Sequence, residues 1–209
     1  MGDATLVAPV IFLKPPSAAV CVREGEGRVV VQLPRGRGSV HYECEIVLRV
    51  GADGGGRGRG GGLFPGAARA SDLLPRRSPA SSFDLATLGL DLTLRDVQAD
   101  ARAKGSPWET AKVWPGSAVL GPWLELGSVP DWLDTEFTFE LNGTIVQRGL
   151  GRDMVSGPAA ALAAATATVG VSANDLFFTG TPAGVGPLAP GDVGWLRWGG
   201  WLAVEAVFE

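Results

Sequence analysis

From Ser39 to Val50 the chain reads SVHYECEIVLRV, and its side chains alternate with the period of two that a strand imposes. Tyr42, Cys44, Ile46 and Leu48 fall on one face, and His41, Glu43 and Glu45 on the other. Further short β-branched or aromatic runs bounded by Gly, Pro or Asp predict strands at VIFLK, GRVVVQL, LATLGLD, EFTFEL, TIVQRG, DLFFTG and WLAVEAVF. Asn142-Gly143 between two of these runs is a tight hairpin turn, although Asn142-Gly143-Thr144 also spells a glycosylation sequon. Two helices interrupt the strands. One runs through TLRDVQADARAKG, with Thr93 as cap, Asp96 in its first turn and Gly105 at its end; the other is Ala-rich and follows Gly157-Pro158 towards Gly170. Strands and helices mixed without regular alternation predict a single β-dominated α+β domain over residues 1–209.

From about 51 to 82 the pattern lapses into a Gly, Arg and Pro-rich stretch that offers no regular apolar face, and it reads as a loop or insertion. Within it, Gly56 to Gly61 matches G-x-G-x-x-G by glycine density alone, and Arg57 and Arg59 among glycines resemble Arg-Gly segments that contact RNA, a reading weaker than that of a solvated linker.

With 209 residues, 45% of them hydrophobic, the chain is long enough to bury a sizeable core. Its net charge of -4 gives no electrostatic case for nucleic acid. Two cysteines, Cys21 and Cys44, and one histidine, His41, support neither a zinc cluster nor a disulfide framework, which fits a reducing intracellular setting. Pro9, Lys14 and Pro15-Pro16 break the apolar run that a signal peptide needs. The apolar stretch 158–171 is shorter than a membrane span.

Candidate chemistry returns attention to Glu43 and Glu45. Side chains two apart on a strand sit roughly 7 Å from each other. Two full charges there repel by about 2.5 kcal/mol at an effective dielectric near 20. Either water screens an exposed pair or a hard cation bridges it, and a cation site wants a third acid. Asp91, at the end of LATLGLD and just before a helix start, is the candidate. TGTPAGVGP lacks the ending of a phosphate-binding loop, and Ser156 and Ser172 lack a nucleophile elbow or a spare histidine. Trp195, Trp198 and Trp201 around Gly199-Gly200 suit cross-strand packing in a hairpin.

Ordered motifs then extend along most of the chain: FLKPPSA, HYECEIVLRV, LDLTLRDVQ, KGSPWETAKVWPGSAVLGPW, LNGTIVQRG, RDMVSGP and FFTGTPAGVGPLAPGDV. In that order they resemble the fumarylacetoacetate hydrolase family. The resemblance implies a mixed β-roll or sandwich with a few flanking helices, usually dimeric. It implies Mg2+ or Mn2+ on Glu43, Glu45 and Asp91, a catalytic Lys112, and substrate contacts from Arg95, Gln98 and Thr181. The substrate it implies is a small 2-oxo acid or 1,3-dicarbonyl, such as oxaloacetate or an acylpyruvate. A metal-stabilised enolate would serve hydrolysis, decarboxylation or keto–enol tautomerisation alike. Cytoplasm or mitochondrion is the expected compartment.

Family members also carry a segment ahead of FLKPPSA whose His and Glu activate water. No counterpart stands before Phe12, so hydrolysis is the least expected of the three reactions. His41 belongs to the acid-bearing strand, where the expectation is a hydrogen-bonded strand residue rather than the base. The reading set against enzyme chemistry is a relative that keeps fold and metal site but serves as a binding protein.

Overall fold

The computed structural model describes residues 10–23, 25–52 and 82–209. The expected loop or insertion therefore lies, from 53 to 81, outside the described residues.

In chain order the strands begin with β1 (Ala19–Cys21), β2 (Arg28–Val31), β3 (Val40–Tyr42), β4 (Cys44–Val50), β5 (Phe83–Asp91) and β6 (Thr93–Leu94). Helices α1 (Arg95–Lys104) and α2 (Glu109–Lys112) follow, then β7 (Ala118–Leu120), β8 (Leu124–Glu125), β9 (Phe137–Leu141) and β10 (Thr144–Gly149). The chain closes with α3 (Pro158–Thr168), β11 (Leu176–Phe178), β12 (Gly186–Pro187), β13 (Val193–Trp198) and β14 (Leu202–Phe208). One sheet has the order β1-β7-β5-β4-β11, with β8 also paired to β5; a second runs β10-β9-β13-β14-β2; a small third is β12-β3-β6. The pairs β1–β7 and β14–β2 are parallel, and the others antiparallel, so the sheets are mixed. The architecture is the β-dominated one expected. Apolar residues of the two larger sheets, among them Ile46, Leu88, Phe139, Leu196 and Phe208, merge into one core.

Several local expectations hold for the expected reasons. Asn142 and Gly143 both take positive φ, 49° and 83°, as a two-residue hairpin turn between β9 and β10 requires. Gly105 ends α1 in the left-handed conformation, and Pro158 opens α3. Trp198 packs edge-on against Trp201, with ring centroids 5.8 Å apart, across the hairpin of β13 and β14.

Others are corrected. VIFLK forms no ladder: residues 10–14 run as irregular chain into Pro15-Pro16, and prolines supply no N–H to a sheet. Thr93 does not cap α1; it sits in β6, where its Oγ1 donates to Asp91 O at 3.1 Å. The helix start is tied down by Asp96 instead, whose Oδ1 accepts the N–H groups of Ser39 and Val97. The strand around the acids is not half-exposed either. It breaks at Glu43, between β3 and β4, and β4 is buried at every position except the partly exposed Arg49, with β5 and β11 paired along its two edges.

Candidate functional site

Glu43 and Glu45 are 7% and 4% exposed, which removes the water-screened reading of the pair. The β4–β5 register sets Cys44 against Leu90 and Glu45 against Gly89, and Asp91 N–H donates to Glu43 O at 2.8 Å. The ladder thus carries Asp91, 2% exposed, to the two glutamates. Carboxylate oxygens of all three lie within 4.8 Å of one another. The third acid singled out from sequence is therefore the one that the sheet delivers.

Three cations answer these charges. Lys112, the last residue of α2 and 1% exposed, places Nζ 2.6 Å from Glu43 Oε2 and 2.5 Å from Asp91 Oδ2. Arg95, first residue of α1, donates through Nη2 to Glu43 Oε1 at 2.5 Å and through Nη1 to Gln98 Oε1 at 2.7 Å, the i,i+3 spacing putting Gln98 on the same helix face. Lys14 Nζ stands 2.9 Å from Asp91 Oδ1. Glu45 has no cation within ion-pair distance among the described residues; its Oε2 accepts the backbone N–H of Gly180 at 2.6 Å.

The consequences for protonation differ by residue. Burial raises the Glu45 carboxyl well above the usual carboxylate range, and the neighbouring Asp91 and Glu43 charges add to the rise. Burial likewise lifts Asp91, against the pull of Lys14 and Lys112. Burial also opposes ionisation of Glu43, but Lys112 and Arg95 outweigh it and hold that carboxyl low. Asp91 Oδ1 is buried and has no hydrogen-bond donor, since Lys14 approaches it outside hydrogen-bonding geometry.

Of the seven residues expected at the site, Glu43, Glu45, Asp91, Gln98, Lys112 and Thr181 line one cavity of 1390 Å³. Arg95 stands behind Glu43 rather than in the lining. Thr181 does not point freely into the space: its Oγ1 donates to Cys44 O and accepts from Gln147 Nε2, both at 2.9 Å. His41 departs from expectation. Its Nδ1 is buried without a hydrogen-bond partner, and burial together with the Arg95 charge lowers its pKa.

Two residues escaped the sequence reading. Gln147 accepts Cys44 N–H through Oε1 and donates to Thr181 Oγ1 and Pro182 O, fastening the loop after β11 to the acid strand. Its only sequence signal is a polar residue inside the apolar run TIVQRG, which a buried sheet position makes conspicuous. Lys14 interrupts an apolar run in the sequence with no period to mark its direction, and in the structure its ammonium stands 2.9 Å from Asp91 Oδ1.

A family model described as "Fumarylacetoacetate (FAA) hydrolase C-terminal" matches residues 82–206. The mitochondrial oxaloacetate tautomerase of Schizosaccharomyces pombe is 31% identical over 191 residues, covering 88% of this chain and 75% of its own. The oxaloacetate tautomerase of Escherichia coli K12 is 32% identical over 193 residues, 92% of this chain and 78% of its own. Among solved structures, fumarylpyruvate hydrolase from Pseudomonas aeruginosa, in complex with Mn2+ and pyruvate, superposes with a TM-score of 0.76 at 28% identity, over 95% of this chain and 78% of that one.

Proposed function

Because this chain belongs to the fumarylacetoacetate hydrolase family of enzymes, we propose that it uses a divalent metal to interconvert keto and enol forms of a small 2-oxo diacid of the oxaloacetate type. The observation that carries the reading is the imbalance within the acid cluster. Three buried carboxylates converge, yet Glu45 has no cationic partner among the described residues and Asp91 Oδ1 has no donor. Hard oxygen donors left unsatisfied in this way fit Mg2+ or Mn2+. Taken as ionised, Glu43, Glu45 and Asp91 cancel Lys14, Arg95 and Lys112, so a bound divalent ion leaves the site with two positive charges, a match for a dianionic substrate.

When bound, the metal supplies a Lewis-acidic centre that stabilises negative charge on the 2-oxo oxygen. Glu43, Glu45 and Asp91 would hold it. Lys112 would carry the proton exchanged at the carbon beside the keto group: in the enol-to-keto direction its ammonium gives a proton to carbon, the enol hydroxyl loses its proton to solvent, and the neutral amine regains one from solvent, so the net change is an isomerisation. Arg95 keeps Glu43 ionised and Gln98 oriented, and Gln98 and Thr181 would receive the polar groups of the substrate. Loss of CO2 from the same substrate would pass through a related enolate, so decarboxylation belongs to the same assay. As parts of the same proposal, the enzyme works as a homodimer in cytoplasm or mitochondrion. Among the described residues no helix is long and apolar enough to cross a membrane.

The test follows the ultraviolet absorbance of enol-oxaloacetate with and without Mn2+, alongside pyruvate release. Expected is a Mn2+-dependent acceleration that Glu43→Gln and Lys112→Met abolish. Equal rates in wild type and both variants would refute the reading.

A further inference from the structure

Resting on that reading, we propose that Lys14, besides pairing with Asp91, is a positioning residue: a clamp that sets Asp91 and Lys112 relative to each other. A counter-ion alone aims its N–H groups at carboxylate oxygens. Lys14 instead donates to three main-chain carbonyls: Leu92 O at 3.2 Å, Ser117 O at 3.0 Å and Lys112 O. An ammonium has three donors, and these bonds use all of them. Asp91 Oδ1, 2.9 Å from Nζ, is therefore held as an ion pair with none of these three N–H bonds directed to it.

The three acceptors are junctions. Leu92 follows Asp91 directly, and its own N–H donates to Ser117 O at 2.9 Å. Lys112 O also accepts Ser117 Oγ–H at 3.0 Å. One ammonium therefore ties together the end of β5, the end of α2 and the turn that precedes β7. The side chain is 9% exposed and its Nζ lies 5.4 Å from the centroid of the Trp114 ring, so losing it leaves buried carbonyls short of a donor. Arginine would not reproduce the arrangement, because its donors spread in one plane whereas the three carbonyls surround a single point.

The experiment titrates Mn2+ into wild type, Lys14→Met and Lys14→Arg without substrate, reading free Mn2+ by electron paramagnetic resonance. A clamp predicts weaker binding in both variants, by about 10- to 100-fold, as for other residues that orient metal ligands. A counter-ion alone predicts the opposite: tighter binding in Lys14→Met, which loses a positive charge beside the cation, and unchanged binding in Lys14→Arg. Either counter-ion result overturns the proposal. Loss of folded protein in both variants, judged by circular dichroism, assigns Lys14 to the core and also overturns it. A wild type that takes up no Mn2+ overturns the underlying reading of function, and is distinct from a wild type that binds and variants that match it.

Discussion

Glu45 Oε2 accepts the backbone N–H of Gly180 at 2.6 Å, so the acid lacking a cationic partner among the described residues is held by the loop that bears Thr181. A hydrogen bond to a neutral N–H favours the carboxylate, but burial and the charges of Asp91 and Glu43 outweigh it.

Glu45→Gln preserves the shape and the acceptor for Gly180 while removing the charge. Without metal this variant is expected to melt at or above the wild-type temperature, within about 1 kcal/mol of stability. Its melting temperature should no longer rise with Mn2+. Paired thermal melts with chelator and with Mn2+ check both parts; a metal-free variant markedly less stable than wild type would count against a protonated Glu45.

Protons should leave when the metal arrives. In the folded chain Glu45 and Asp91 titrate above their ordinary values, so between the ordinary and the raised values the folded state keeps protons that the unfolded chain has released. Metal-free stability then falls as pH rises through that window, since unfolding is favoured wherever the unfolded state binds fewer protons. Glu43, held low, contributes with the opposite sign: its stabilisation is present above its unfolded value and is lost as pH falls through the folded one. Metal ligation needs ionised carboxylates, so Mn2+ affinity should climb as pH rises through that same window, with proton release. Calorimetric titrations in buffers of different ionisation enthalpy measure that release; buffer-independent heats would contradict it.

Removing the Lys112 charge leaves Glu43 and Asp91 without their shared partner in a buried setting. Lys112→Met is expected to cost about 3–5 kcal/mol of metal-free stability, with part of the loss recovered in Mn2+. Tautomerisation should slow by about 10²- to 10⁴-fold even at saturating metal. Denaturant unfolding and stopped-flow absorbance provide the two numbers.

The loop carrying Thr181 has little room to move. Gly184 takes φ of 99°, and a Cβ there would lie 2.1 Å from Val146 O. Gly184→Ala is expected to destabilise by about 1–3 kcal/mol and to raise KM more than it lowers kcat, because the loop rather than the acids is displaced. An unchanged KM would show that Thr181 does not meet the substrate.

The acid trio was legible because a strand's period puts Glu43 and Glu45 on one side, and because Asp91 marks a strand end beside a helix start. The hairpin turn at Asn142-Gly143 and the helix stop at Gly105 were legible for a similar reason: the backbone conformation demands the residue. Lys14 was not, since it sits in irregular chain before two prolines, where no period says which way a side chain points. Nor was the break at Glu43, because strand propensity is continuous through it while the sheet partners change from β6 and β12 to β5 and β11. Thr93 was misjudged since a residue fit for capping is equally fit for a sheet, and only the pairing of His41 with Thr93 decides.

The β4–β5 hairpin has its acids at one mouth and its connection at the other: the ladder runs from Cys44 opposite Leu90 to Val50 opposite Phe83. Some seven residues of strand, about 20 Å, separate the two ends. Chain added at the connection changes neither the register nor the spacing of Glu43, Glu45 and Asp91, and each doubling of its length costs only about 0.6 kcal/mol in closure entropy. This junction is accordingly a natural place to graft a reporter or an affinity handle.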